Sequence, residues 1–203
     1  MVTEEADKKR RGRPTGESAV SHERILDAVQ SILTEKSVRD LTMEEVARRA
    51  DVGKPTIYKW WPSKAALVLD MFEERLVGRL DVPHARTAEE AIRGQVAELI
   101  RMLDGFFGKV ARELIAEGQC DKSVLAEYRE RYLTKRRSFS VSVIERGKQT
   151  GELDRDVDAE LLIDTVYGPI YYRLLLGHGP LTQEFGKALV DNALIWARAP
   201  RVS

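Results

Sequence analysis

The stretch LTMEEVARRADVGKPTIYKWWPSKAAL, Leu41 to Leu67, constrains this chain more than any other. Thr42 stands three residues before Glu45, the reciprocal capping-box spacing of a helix start. Met43, Val46, Ala47 and Ala50 then recur on one helical face. Asp51-Val52-Gly53 interrupts that helix early, and Pro55 is comfortable only in the first turn of the next. The spacing predicts a second short helix over Lys54–Trp61 that stops at Pro62, with Ser63 capping a further helix through Leu67, Leu69, Met71, Phe72 and Leu76. Two short helices joined by a turn at Gly53 cross closely only where a small residue leaves room, and Ala47 is that residue. With Val52 and Ile57 facing inward, the second helix keeps Lys54, Thr56, Tyr58, Lys59 and Trp60 outward. Such donors are what phosphate contact requires, and an exposed helix N-terminus also favours an anion.

The rest of the chain also reads as helix. Ile25, Leu26, Val29, Ile32 and Leu33 predict a first helix over Ser21–Lys36, with Ser21 as its N-cap. Beyond Pro83 the pattern predicts helices over Thr87–Lys109, Ala111–Gly118, Asp121–Gln149, Leu161–Leu176 and Thr182–Arg198, and no run shows strand alternation. Leu161–Leu176 is apolar almost all round, which implies burial on more than one side, and Gly168-Pro169 in its middle is expected to kink it. The fold class is therefore all-α with about nine helices: an arm over 1–20, a helix-turn-helix head over 21–66 and a larger helical body over 67–203.

Composition closes off several functions. Basic and acidic residues both total 33, so overall charge selects no partner, although five cations lie between Lys8 and Arg13. A neutral protein still binds DNA when its cations face phosphates. The single cysteine, Cys120, permits no intrachain disulfide and reads as buried filler. His22, His84 and His178 fall in separate segments, with neither metal-ligand spacing nor a visible nucleophile beside them, so no metal, cofactor or enzyme activity is expected. No apolar run approaches the roughly 18 to 20 residues of a membrane span, and the polar N-terminus lacks the apolar middle of a signal peptide. A cytoplasmic protein without a membrane partner is the expectation.

At Thr56, Ile57, Tyr58, Trp61 and Pro62-Ser63-Lys64 the chain resembles the TetR family of bacterial transcription regulators, by motif over Ser21 to Leu69 and by layout over its whole length. Two departures stand out: Gly53 replaces a frequent serine, and Trp60-Trp61 replaces the commoner His or Tyr followed by Phe. The resemblance implies phosphate contact by Thr42, Tyr58, Lys59 and Lys64, with Gly53 and Trp60 beside them. It implies base-edge contact by Lys54, Pro55 and Thr56; Pro55 offers only apolar contact to a thymine methyl. It also implies a homodimer on a palindromic double-stranded DNA operator, acting as a repressor that a small apolar or aromatic effector releases. A ligand-independent repressor, an activator and a nonspecific architectural binder remain alternatives.

Three further readings stay open. RGRP, Arg11 to Pro14, is the core of a minor-groove arm in which Arg11 and Arg13 enter an A·T-rich groove, or else a solvated charge run. The last two helices are either monomer core or, as the resemblance implies, a four-helix dimer interface containing Leu161, Val166, Ile170, Leu174, Phe185, Leu189 and Trp196. An effector pocket would be lined by Leu99, Met102, Leu103, Phe106, Tyr128, Tyr132, Phe139, Tyr167 and Tyr171, each of which also serves as ordinary core. Arg112, Arg136 and Arg173 fall in apolar neighbourhoods where they can pair a carboxylate, though surface exposure explains them more cheaply.

Overall fold

A computed structural model describes residues 17–76 and 85–198. The described chain is α-helical: α1 (Glu17–Glu35), α2 (Met43–Ala50), α3 (Lys54–Trp60), α4 (Lys64–Leu76), α5 (Ala88–Leu103), α6 (Phe106–Cys120), α7 (Lys122–Tyr128), a π turn (Arg129–Leu133), α8 (Thr134–Gln149), α9 (Ala159–Leu176) and α10 (Gln183–Ala197). Its one β-bridge, Leu153 with Arg198, ties the loop after α8 to the end of α10. No helix among the described residues is long and apolar enough to cross a membrane.

Capping sets many of these boundaries. Thr42, Thr87, Asp121, Asp158 and Thr182 each accept a backbone N–H from the first turn of the helix they precede, and the Ser63 hydroxyl accepts from Ala66 N–H at 3.0 Å. The first helix starts earlier than expected: Glu17 to Val20 are already helical, so Ser21 lies inside α1 rather than at its N-cap. The helix predicted over Thr87–Lys109 is interrupted at Asp104-Gly105, and the Phe106-Phe107 pair opens α6 instead of closing α5. Gly108 makes that reversal possible, since a Cβ there would stand 1.9 Å from the Leu103 carbonyl oxygen. The helix predicted over Asp121–Gln149 is continuous in path but carries the π turn, which accommodates an extra residue in its middle. Cys120 is exposed at the end of α6, not buried, because the chain leaves the core there to reach Asp121.

The head is α1, α2 and α3, with α1 packed on α2 and α4 and α3 crossing α2. Ile25, Leu26, Val29, Ile32 and Leu33 of α1, Val46 of α2 and Ile57 of α3 have almost no exposed surface, and each such side chain contributes about 1.5–3 kcal/mol by burial. α4 belongs to both parts. It starts at the end of the head, packs on α1, α6, α7 and the π turn, and buries Leu67, Val68, Met71 and Phe72, the last against Phe107 of α6 and Tyr132 of the π turn. In the body α5 packs on α6, α8, α9 and α10, and α9 on α8 and α10. α9 continues on both sides of Pro169.

Candidate nucleic-acid interface and its links to the body

α2 is fixed at both ends by its own sequence. The Thr42 hydroxyl accepts from Glu45 N–H at 3.3 Å, but Glu45 accepts from Lys36 Nζ at 2.8 Å on both carboxylate oxygens, and the structure records no return bond to Thr42. At the other end Asp51 adopts the left-handed conformation, φ 53°, which short polar side chains tolerate better than other non-glycine residues. Val52 N–H then returns to the Ala47 carbonyl at 3.0 Å. Within the expected Asp51-Val52-Gly53 turn, it is Asp51 and not Gly53 that takes the left-handed conformation. Gly53 has an ordinary φ of −71°, and a Cβ there would meet only Pro55 Cδ at 3.5 Å. A serine would fit.

α3 follows with Pro55 in its first turn and exposes Lys54, Pro55, Tyr58 and Lys59, while Thr56 and Trp60 are half-buried. Thr42 and Gly53 are exposed beside it. Lys54 Nζ lies 2.5 Å from Glu44 Oε1, and that hydrogen bond holds the Glu44 carboxyl below its usual range. An anion that meets Lys54 therefore competes with Glu44. Lys59 Nζ sits 5.8 Å from the Trp60 ring, which meets His22 edge-on at 5.6 Å. Lys64, grouped above with the phosphate contacts, donates to the Arg39 carbonyl at 3.0 Å and stands 3.7 Å from Glu117 of α6. Its charge is turned toward the body. Arg48 was not singled out from the sequence, yet it is exposed one helical turn beyond Glu44, on the face that carries Lys54's partner. The i, i+4 spacing of Glu44 and Arg48 was the signal available. Arg11 and Arg13 lie outside the described residues.

The end of α3 is wired to the body. Trp61 is buried, and its indole N–H donates to Asp70 Oδ2 of α4 at 2.8 Å, as a buried indole requires. Arg131 of the π turn donates to the other Asp70 oxygen at 2.8 Å and to the Ala66 carbonyl at 3.0 Å. His22 Nε2 lies 3.4 Å from Asp70 Oδ2. One carboxylate thus joins α1, the C-cap of α3 and the π turn. A second link runs along α6. Lys109 donates to the Leu33 and Lys36 carbonyls at the end of α1, Glu113 accepts from Val38 N–H at 2.7 Å, and Glu117 faces Lys64. These three residues recur every four positions, so one stripe of α6 holds the head.

Of the residues expected to line a pocket, Leu99, Met102, Leu103, Tyr128, Tyr132 and Tyr167 are buried, Phe106 and Tyr171 half-buried, and Phe139 is 40% exposed. The structure brings the four tyrosines together around Arg136, beside a cavity of about 20 Å³ lined by Leu133, Arg136, Ser140, Ile163, Tyr167 and Tyr171 among others. Phe72 of α4 stacks edge-on against Tyr132 of the π turn at 5.1 Å. A more open groove of about 270 Å³ lies between α5 and α10, bordered by Arg93, Val96, Gln183 and Val190. No sequence signal marked it. Arg112 is exposed, and Arg173 covers the Phe185 ring at 3.5 Å while donating to the Pro180 carbonyl.

The residues expected at a dimer interface divide. Val166, Ile170 and Leu174 are buried within the single chain, because they occupy the side of α9 that faces the rest of the body. They are core and not available to a partner. Leu161 and Trp196 are exposed, and Phe185 and Leu189 half-buried. The opposite side of α9 carries Tyr172, Leu175 and Leu176, and α10 adds Ile195, whose exposure is 76%. Gly168 lies on that same open side, where a Cβ would meet nothing within 4 Å.

Comparison with known proteins agrees with this geometry. Residues 25–71 match the family model of bacterial regulatory proteins of the tetR family, and residues 82–193 match a tetracyclin repressor-like C-terminal domain. The chain is 40% identical over 184 residues to the HTH-type transcriptional regulator YdeS of Bacillus subtilis, covering 91% of this chain and 92% of that one. It superposes on the TetR family transcription regulator SCO0332 with a TM-score of 0.76 at 31% identity, covering 87% of this chain and 98% of the other. FadR of Bacillus subtilis, solved in complex with stearoyl-CoA, shares the fold, with a TM-score of 0.63 at 18% identity over 85% of this chain and 97% of FadR. With its helix-turn-helix head, its helical body and both family models matched, this chain belongs to the TetR family of DNA-binding transcriptional regulators.

Proposed function

We propose that the protein is a homodimeric repressor that occupies a palindromic operator and leaves it when a small molecule enters the body. α3 lies in the major groove. Tyr58, Lys59 and Thr42 hold phosphates with Arg48 beside them, and Lys54, Pro55 and Thr56 face base edges, Lys54 exchanging Glu44 for a base acceptor. The arm with Arg11 and Arg13 reaches the adjacent minor groove. The dimer forms through the open apolar side of α9 and α10, built from Leu161, Tyr172, Leu175, Leu176, Ile195 and Trp196, with Gly168 permitting close approach. Two heads related by a two-fold axis then read two half-sites.

The observation that carries the release step is the Asp70 junction. A ligand that displaces the π turn moves Arg131, and with it the carboxylate that holds Trp61 at the end of α3. Such a ligand lowers DNA affinity only by its preference for the displaced state. FadR shows that this architecture can accommodate stearoyl-CoA in that protein.

The test is transcription in vitro from a promoter overlapping a duplex site selected by the purified protein. Repression that scales with occupancy, at two chains per site, is expected. A rise in transcript favours the activator alternative, and binding without a defined site favours an architectural role.

A further inference from the structure

Arg136 is the feature of the body that the fold does not explain. Its side chain is half-buried, and among the described residues no carboxylate lies within 4 Å of it. Its recorded partners are the Tyr132 hydroxyl, to which Nη1 donates at 3.2 Å, and the face of Tyr167 at 4.8 Å. Neighbouring cations are settled differently: Arg131 pairs with Asp70, and Arg137 with Asp164 and Glu160. A guanidinium cannot discharge in a protein, so a half-buried one without a counter-charge is open to an anion.

Around it the unpartnered groups are mostly donors. The buried hydroxyls of Tyr128 and Tyr171 neighbour one another without an aligned hydrogen bond. Burial pushes both well above the ordinary phenol range, so both keep their protons. Gln95 uses one end of its amide for the Ser140 and Tyr167 hydroxyls, at 2.9 and 2.8 Å, and its other end has no partner. The cavity beside Arg136 is large enough for about one water-sized group, and its wall includes Leu133 and Ile163.

We propose that Arg136, with Tyr171 and Tyr128, is the anchor of a ligand site for a monocarboxylate with an apolar body, the carboxylate taking the bidentate edge of the guanidinium and the phenol hydroxyls. A single cation matches a single negative charge, which favours a carboxylate over a doubly charged phosphate. The apolar body extends along Leu133, which lines the cavity and belongs to the π turn, so accommodating it displaces the segment that carries Arg131. This assignment rests on the effector reading above and names the ligand class for it.

The test is calorimetric titration of full-length protein with benzoate, phenylacetate, hexanoate and decanoate, each beside its primary amide. The wild type is expected to bind at least one acid ten or more times tighter than its amide. Arg136→Gln should remove that preference, and Arg136→Lys should keep part of it. Arg136→Met should unfold, ligand-free, at the same temperature as the wild type or higher, because no carboxylate among the described residues depends on that charge. The proposal is overturned by acids that do not bind, by amides that bind as well as acids, or by an unchanged preference in Arg136→Gln. Acid binding that Arg136→Gln abolishes but that leaves DNA affinity unaltered keeps the site and removes the effector reading.

Discussion

Head and body are built to different degrees of completeness. In the head, short helices start and stop on their own signals, and the core of α1, α2 and α3 is closed. The outward cations are held ready, Lys54 by Glu44 and Arg49 by Glu35, whose carboxyl the Arg49 hydrogen bond keeps below its usual range. The body leaves business unfinished. Among the described residues a guanidinium has no carboxylate within reach, the Tyr128 and Tyr171 hydroxyls have only each other nearby, a π turn interrupts a helix, and α9 and α10 present a broad apolar side to solvent. The difference teaches where the unmet interactions lie: the head presents paired cations on a closed core, whereas the body leaves the apolar side and polar groups that the proposed dimer and ligand would use.

The largest expected effect attacks the body's open side. Tyr172→Asp combined with Ile195→Asp puts two charges on the proposed interface, and sedimentation should show a monomer with operator affinity reduced at least a hundredfold. A variant that still sediments as a dimer would place the interface elsewhere.

Next comes the junction between the two regions. Asp70→Ala strands the buried Trp61 N–H and takes from Arg131 its nearest carboxylate, and chemical denaturation should register a loss of about 1–3 kcal/mol. If stability is unchanged, the head is not held through this carboxylate.

Within the head the effects are smaller and separable. Tyr58→Phe with Lys59→Ala should weaken binding about tenfold at every sequence and make the salt dependence shallower by about one phosphate, measured by titration at several ionic strengths. Lys54→Ala should instead change which site is preferred. An unaltered preferred sequence would remove Lys54 from the base-reading set. The smallest effect belongs to Gly53→Ser, which supplies α3 with the side-chain cap it lacks and should raise stability by a few tenths of a kcal/mol in the same denaturation experiment.

The same contrast governs how much was legible in the sequence. The head announces itself through local chemistry: Thr42 before Glu45, Ala47 at the crossing, Pro55 in a first turn and Pro62 as a stop all act within a few residues. Two details escape it: α1 begins before Ser21, and within Asp51-Val52-Gly53 only the backbone shows that Asp51 adopts the conformation that glycine and aspartate both tolerate. In the body, periodicity reveals helices but not their interruptions. The break at Asp104-Gly105 depends on Gly108 approaching the end of α5, and the π turn has no local signature. α9 is apolar on both sides, so its pattern cannot say that Ile170 faces inward and Tyr172 outward. The sequence places Arg136 in an apolar neighbourhood, but what surrounds a cation is decided by partners far along the chain. Tyr167 lies on α9, and Gln95, on α5, ties it to Ser140 of α8.

The central claim is that two such heads, held by one body interface, read an inverted repeat. The most direct measurement incubates full-length protein with a random-sequence duplex library at near-physiological salt and sequences the bound fraction. The account predicts an enriched inverted repeat with half-sites about one helical turn apart. Enrichment of A·T-rich runs alone, or of nothing, would contradict it.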